Sequence, residues 1–268
     1  MFFVFTLLFV ASGCNPKNIK TQTKESVHKI KSTVVKKKPL PDFIQRRKVV
    51  FDDDRKITML FIKIDQKKWQ WFSQNKPDTP LSIVQWQKKL KAPLVINGFY
   101  FNENGQPSGF YQVAKGAPSK IKWPDILKQK KTNNYTGLVT ITKNHELRLK
   151  YLPYSPQEKI DEATSNFLSF PTLVAGGFSL IKKDSQKYAR RLALGMDRED
   201  NIYIIITELG NLTLYELAQW ISEQPEKIDI AINLDGGKST SLIYKDKNTD
   251  LLIPAIELPN VLYLKERD

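Results

Sequence analysis

Residues 230–242 read Ile230-Ala231-Ile232-Asn233-Leu234-Asp235-Gly236-Gly237-Lys238-Ser239-Thr240-Ser241-Leu242. The branched apolar residues at its start predict a buried strand, and the glycine pair predicts a sharp turn into a run of hydroxyl side chains. Glycine allows a left-handed backbone, and successive N–H groups in such a turn can bind an anion. We therefore expect Gly236, Gly237 and Ser239 to form an anion cradle that the Asp235 carboxylate faces. An ordinary hairpin is the alternative, because Asp-Gly is a common turn signal.

Outward from this segment, the apolar periodicity predicts many strands and few helices. Helices are expected at 80–90, after an N-cap at Asp78-Thr79, and at 213–223, where Thr213 lies near the start. Residues 93–101 are expected to be a buried strand that runs into a turn. Other strands are expected at 57–64, 69–72, 109–114, 136–142, 146–151, 172–181, 191–196, 201–207, 228–234, 239–244 and 260–264. This arrangement predicts an α+β domain with mixed β-sheets.

The first 48 residues differ from the rest in composition. The apolar run at 2–10 is shorter than the roughly 20 residues of a membrane-spanning helix, but it has the length of a signal-peptide core. Small residues before Cys14 resemble the lipobox of bacterial lipoproteins, in which the cysteine carries the lipid. The expected organisation is a signal peptide at 1–13, lipidated Cys14 with a flexible basic tether at 14–48, and a folded domain at 49–268. A membrane-anchor stub with a chance cysteine is the alternative.

These features predict an exported protein that is lipid-anchored in the cell envelope. Asn15 follows the cysteine, where an aspartate usually signals retention in the inner membrane. In a Gram-negative cell, the predicted location is therefore the outer membrane, facing the periplasm. The membrane is thus an expected partner, through the lipid anchor.

The charge distribution argues against a nucleic-acid partner. The net charge is +14, but residues 15–48 hold eleven Lys or Arg and two Asp or Glu, a balance of +9 that leaves +5 for the remainder. This basic segment has only Phe43 to stack on bases. The single cysteine excludes a disulfide framework, and with only two histidines the sequence has few ligands for a zinc site. No cofactor is expected with certainty, although carboxylates could hold a divalent cation.

Three further segments place a polar or glycine element at the end of a predicted strand: Asn97-Gly98-Phe99-Tyr100-Phe101, Phe170-Pro171-Thr172-Leu173-Val174 and Arg191-Leu192-Ala193-Leu194-Gly195. In this order, and followed by a helix, the segment 234–239 and a closing strand at 258–262, they resemble the phosphodiester glycosidase family over about residues 57–264. Members of that family cut the bond between the anomeric carbon of a sugar and a phosphate. Lys238 departs from the family, which commonly has a small residue there.

The resemblance implies a sugar phosphodiester substrate and a set of site residues. The positions that match the family's signature are Asn97, Arg191, Asp235, Gly236, Gly237 and Ser239. Arg191 is expected to hold phosphate oxygens through its bidentate fork, and Asn97 to orient a sugar hydroxyl. Asp235 is expected to stabilise the cationic sugar or to activate water.

Two more residues are candidates at the same site. Glu208 ends the predicted strand 201–207 and is a candidate second catalytic carboxylate, while Tyr100 is a candidate for facing the substrate. Structural alternatives remain for each group: Glu208 as a cap, Tyr100 as a core aromatic residue, Asn97 as a turn residue, and Arg191 as the ion-pair partner of Asp197 or Asp235.

The function predicted from these residues is a hydrolase that cleaves the glycosidic bond of a sugar-1-phosphate diester in an envelope polymer or glycolipid. A non-catalytic lipoprotein that binds anionic polysaccharide is the alternative from another class. An enzyme that cuts the phosphorus–oxygen bond is disfavoured, because such enzymes usually use metal clusters built from His and Asp.

Overall fold

The computed structural model describes residues 39–112, 136–154 and 165–267, which belong to one compact unit, Lys38–Asp268. The predicted signal peptide, Cys14 and most of the predicted tether lie outside the described residues. No helix in the described ranges combines the length and apolar character that crossing a membrane requires.

Strands dominate the described residues, with two α-helices between them. The elements are β1 (Ile44–Val50), β2 (Lys56–Ile64), β3 (Trp69–Asn75), α1 (Ile83–Leu90), β4 (Leu94–Asn97), β5 (Tyr111–Gln112), β6 (Gly137–Ile141), β7 (Leu147–Tyr151), β8 (Ser165–Ser169), β9 (Thr172–Ala175), β10 (Phe178–Ser179), β11 (Leu192–Met196), β12 (Ile202–Leu209), α2 (Leu214–Ser222), β13 (Ile230–Asn233), β14 (Leu242–Lys245), β15 (Asp250–Ile253) and β16 (Asn260–Glu266). Short 3₁₀ turns occupy Leu152–Tyr154 and Gly237–Ser239.

The strands form three sheets, and the expected mixed character is wrong. The first sheet has the order β1-β2-β12-β11-β13-β9-β10, the second β15-β14-β4-β16-β3, and the third β5-β8-β6-β7. Every pairing of named strands in the described residues is antiparallel. Parallel neighbours need long crossovers, whereas many neighbours here join through short turns. The fold is therefore richer in sheet than the predicted α+β balance, although helices are few, as expected.

Alternating side chains divide the core into three layers. Ile202, Ile204 and Ile206 of β12 point into a central cluster to which all three sheets contribute. Tyr203 and Ile205 point the other way, into a second cluster under α2. A third cluster lies between α1 and the second sheet. Both faces of β12 are thus buried, which explains its nearly continuous apolar sequence.

Both helices begin at a capping box. The Ser82 side chain accepts from the Gln85 N–H, and the Thr213 side chain accepts from the Glu216 N–H. In return, the side chains of Gln85 and Glu216 accept from the backbone N–H of the N-cap residue of their helix. The helix predicted at 213–223 is confirmed by α2. The helix predicted at 80–90 starts later, at Ile83, because Ser82 and not Asp78-Thr79 is the N-cap.

The folded domain starts before its predicted boundary at residue 49. Strand β1 begins at Ile44, inside the segment expected to be a flexible tether, and pairs along its length with β2. The sequence does not indicate this strand, because the three residues at its centre, Arg46-Arg47-Lys48, are all basic. Those charges suit an edge strand, which pairs on one side only. Strands β8 and β15 also escape prediction, since both are short and partly polar.

The predicted strand 172–181 is two strands joined by a tight turn. Gly176 and Gly177 both adopt positive φ, of 63° and 82°, which reverses the chain between β9 and β10. The predicted strand 109–114 is reduced to β5 within the described residues.

Candidate functional site

The segment predicted to carry the chemistry crosses from the first sheet to the second. It leaves β13 and reaches β14, and its backbone bonds to both sheets on the way. The Leu234 N–H donates to the Leu192 carbonyl at 2.9 Å, and the Asp235 N–H donates to the Gly98 carbonyl at 3.4 Å. The end of β13, the start of β11 and the end of β4 therefore meet at one place.

Asn97 holds this crossing segment in place. Its Nδ2 donates to the Asp235 carbonyl at 2.7 Å, and its Oδ1 accepts from the Ser241 N–H at 2.9 Å. The residue is only 1% exposed. Asn97 therefore fixes the backbone on both sides of the glycine turn, whereas its sequence position led us to expect that it orients a sugar hydroxyl.

The glycine turn does not form the predicted cradle of N–H groups. The Gly237 N–H donates to the Arg190 carbonyl at 2.8 Å, and the Gly236 N–H donates to Asp235 Oδ1 at 3.0 Å. Both donors are therefore already bonded within the protein, and the expected anion cradle is wrong in this respect. Gly237 has φ of 64°, which favours glycine, and a Cβ on Gly236 would lie 3.2 Å from the Arg190 carbonyl oxygen.

Asp235 is a partly buried carboxylate with few partners. Its Oδ1 accepts from the Gly236 N–H, and the Ser239 hydroxyl also hydrogen-bonds to it. Burial raises the pKa of the Asp235 carboxyl above its usual range, and these two hydrogen bonds only partly oppose the rise. A carboxylate with a raised pKa is a stronger base than an exposed aspartate.

Arg191 has its side chain anchored by backbone carbonyls. Its Nε donates to the Leu212 carbonyl at 3.1 Å and its Nη2 to the Lys187 carbonyl at 2.6 Å. Its Nη1 lies 3.8 Å from the position of a Cβ on Gly236, which directs the remaining donor edge toward the turn. Burial lowers the pKa of the Arg191 guanidinium, and the nearby Tyr100 raises it.

Neither ion pair considered for Arg191 is formed. Asp197 accepts instead from Asn201 and from the Tyr203 hydroxyl, at the other end of β11. Asp235 makes no ion pair with Arg191, and no described carboxylate does. The guanidinium is therefore half-buried and positively charged, with no negative partner in the described residues.

Tyr100 reaches the same place from the end of β4. Its hydroxyl accepts a short hydrogen bond from Asn233 Nδ2. Burial raises the pKa of the Tyr100 hydroxyl, the Asp235 carboxylate raises it further, and the Arg191 guanidinium lowers it. The Tyr100 hydroxyl thus lies within electrostatic reach of both charged groups.

Asn233 and Phe170 lie in segments that carry the predicted motifs, but neither was predicted to be a site residue. Asn233 is fully buried, and its Nδ2 also donates to the Leu234 carbonyl at 2.8 Å, while its backbone carbonyl accepts from the Ser169 hydroxyl at 2.6 Å. The available signal was a lone amide at the end of an otherwise apolar strand. Phe170 stacks on Tyr100, a contact between distant parts of the sequence that no local pattern indicates.

Glu208 is not brought to the site. Its two carboxylate oxygens accept from Nε and Nη2 of Arg46 at 2.8–3.0 Å. Arg46 lies on β1, on the opposite side of β12 from β13. Asp235 follows β13, which is two strands, or about 10 Å, from β12. Glu208, expected as a second catalytic carboxylate, is thus engaged in an ion pair with Arg46.

The described residues contain no group of three or more His, Cys, Asp or Glu side chains placed to hold a metal ion.

Comparison with known sequences decides the family. Residues 91–265 match the phosphodiester glycosidase family, which is more than half of the chain. The chain belongs to the phosphodiester glycosidase family. The matched range contains every element that forms the site, from β4 through Arg191 to the crossing segment, whereas β1–β3 and α1 precede it.

Solved structures share the fold of this chain. The catalytic domain of zebrafish N-acetylglucosamine-1-phosphodiester alpha-N-acetylglucosaminidase, auto-inhibited by its pro-peptide, superposes with a TM-score of 0.57 at 16% identity, covering 84% of this chain and 82% of that one. A hypothetical protein from Synechocystis gives 0.50 at 15% identity, covering 84% and 62%. No curated protein matches the chain significantly.

Proposed function

We propose that this protein hydrolyses the glycosidic bond of a sugar-1-phosphate diester. The observation that carries the proposal is the Arg191 guanidinium, which is half-buried, anchored by two backbone carbonyls and without a carboxylate partner in the described residues. An arginine held this way suits a phosphate oxygen, which accepts from its remaining donor edge. Family membership and the adjacent Asp235 carboxylate support the same conclusion.

The roles divide between the two charged groups. Arg191 binds the phosphate and stabilises the negative charge that grows on it as the bond breaks. Asp235 takes a proton from water, whose oxygen forms a bond to the anomeric carbon. The bond from that carbon to the phosphate oxygen breaks, and its electron pair leaves with the phosphate. The products are a free sugar and a phosphomonoester.

A single carboxylate is adequate for this chemistry. Ordinary glycosidases use one carboxyl group to protonate an alcohol leaving group and a second to activate water or to attack. A phosphomonoester leaves far more readily than an alcohol, so protonation contributes less. The engagement of Glu208 with Arg46 is therefore compatible with turnover.

The test is release of sugar from a panel of sugar-1-phosphate diesters by the full-length chain. The wild type should release free sugar and phosphomonoester, whereas Asp235→Asn and Arg191→Ala should lose most of this activity. Arg198→Ala is a matched control, since Arg198 is exposed and pairs with Asp229 away from the turn. Equal turnover by the wild type and Asp235→Asn contradicts the assigned role. Retained binding of anionic glycan with no release favours a binding protein.

We further propose that the protein is exported and anchored in the cell envelope through a lipid on Cys14. The apolar run at 2–10 and the small residues before Cys14 support this proposal. An envelope polymer or glycolipid then supplies the diester. Cys14→Ser should abolish incorporation of labelled fatty acid and release the protein from membranes, and unchanged labelling of this variant contradicts the proposal.

A further inference from the structure

An exposed aromatic side chain stands beside the site. Phe170 is 54% exposed, although it follows the buried Ser169 at the end of β8. Its ring stacks on the Tyr100 ring with centroids 4.9 Å apart and planes 23° apart. One ring face is thus covered by Tyr100, while more than half of the residue's surface is open to solvent.

This aromatic pair is fixed to the same strand end as Asp235. Asn233 Nδ2 donates to the Tyr100 hydroxyl and lies 3.4 Å from the Phe170 carbonyl oxygen. Asn233 is the last residue of β13, two positions before Asp235. One buried amide therefore ties both aromatic residues to the chain that presents the carboxylate.

The Tyr100 ring of this pair lies near the Arg191 guanidinium. An aromatic surface next to a cation suits a ligand with an apolar face and a phosphate. A pyranose has such a face, formed by its ring C–H bonds, and the face of an aromatic ring also attracts positive charge. We propose that Phe170, supported by Tyr100, is the wall against which the sugar ring stacks while Arg191 holds the phosphate. This inference rests on the proposed function and names the sugar-recognising residue of the same site.

Binding is the most direct test, because it does not depend on turnover. A hexopyranose 1-phosphate and inorganic phosphate are titrated calorimetrically into the full-length chain. The wild type should bind the sugar phosphate more tightly than phosphate alone. Phe170→Leu should weaken sugar phosphate binding about tenfold, a contribution of the size expected for an aromatic stack, and leave phosphate binding unchanged.

Two control variants separate stacking from other effects. Phe170→Trp keeps an aromatic face and should bind the sugar phosphate like the wild type. Phe178→Leu changes another exposed phenylalanine, 76% exposed on β10, which pairs with the end of β9 remote from Phe170, and should have no effect.

Three results overturn the inference: a wild type that binds sugar phosphate no better than phosphate, a Phe170→Leu variant that binds both like the wild type, and one that loses both equally. Failure of the proposed function has a different signature. In that case, the wild type prefers the sugar phosphate and Phe170→Leu loses this preference, but no diester releases sugar.

Discussion

Replacing Asn97 by alanine tests the idea that this residue positions the site and does not contact the sugar. The change removes Nδ2, which donates to the Asp235 carbonyl, and Oδ1, which accepts from the Ser241 N–H. A buried polar group left without a partner costs about 1–3 kcal/mol, so two such groups, one of them only partly buried, should lower the free energy of unfolding by about 2–4 kcal/mol. Activity should fall as well, because the backbone that presents Asp235 is released.

Urea unfolding followed by tryptophan fluorescence measures this loss, as the shift in midpoint at constant slope. Asn102→Ala is the matched control. Asn102 Oδ1 also accepts two backbone hydrogen bonds, from Asn104 and Gln106, but it is exposed, so water replaces them and the loss should stay within about 0.5 kcal/mol. If Asn97→Ala is as stable as Asn102→Ala and yet loses activity, the positioning argument is refuted and a direct contact with substrate takes its place.

Three other changes have distinct expected outcomes. Gly237→Ala should lower the free energy of unfolding by about 1 kcal/mol in the same assay, because alanine is strained at positive φ while its Cβ meets nothing. Glu208→Gln should weaken the pair with Arg46, cost at most about 1 kcal/mol and leave kcat unchanged; a large fall in kcat contradicts its structural role. Because burial raises the pKa of Asp235, kcat/KM should fall on the acid side with a midpoint above the ordinary aspartate pKa. The folded chain also binds this proton more tightly than the unfolded chain, so the stabilising contribution of protonated Asp235 is complete at low pH and is lost as pH rises through the raised pKa. Asp235→Asn should remove this dependence, which urea unfolding across pH measures.

The sequence predicts the crossing segment well because several local signals agree there. A branched apolar run indicates β13, and the glycine pair indicates the turn that follows it. Helix α2 is predicted almost to the residue, since Thr213 and Glu216 form a capping box. These signals depend on neighbours in the chain, which a sequence displays directly.

Features that depend on distant partners are not predicted. The direction of the Gly236 and Gly237 N–H groups depends on the Arg190 carbonyl and on the Asp235 side chain. The glycine pair in the sequence therefore predicted a cradle of N–H groups that the structure does not form. Glu208 resembles a catalytic carboxylate in sequence, but its partner lies 162 positions away, on a strand disguised by basic residues.

For Asn97, the sequence predicts the location but not the hydrogen-bond partners. Its position at a strand end before glycine predicts a polar residue near the site, and it does lie there. Its partners at Asp235 and Ser241, which are 138 and 144 positions away, decide that it supports the backbone.

The central claim is that the bond between the anomeric carbon and the phosphate oxygen breaks. Isotope labelling of the products tests this claim most directly. The wild type is incubated in heavy-oxygen water with the diester that it turns over, and the phosphomonoester product is analysed by mass spectrometry. If water attacks the anomeric carbon, the phosphate keeps its original oxygens and carries no label. Label in the phosphate shows that water attacked phosphorus, which contradicts the assignment as a glycosidase.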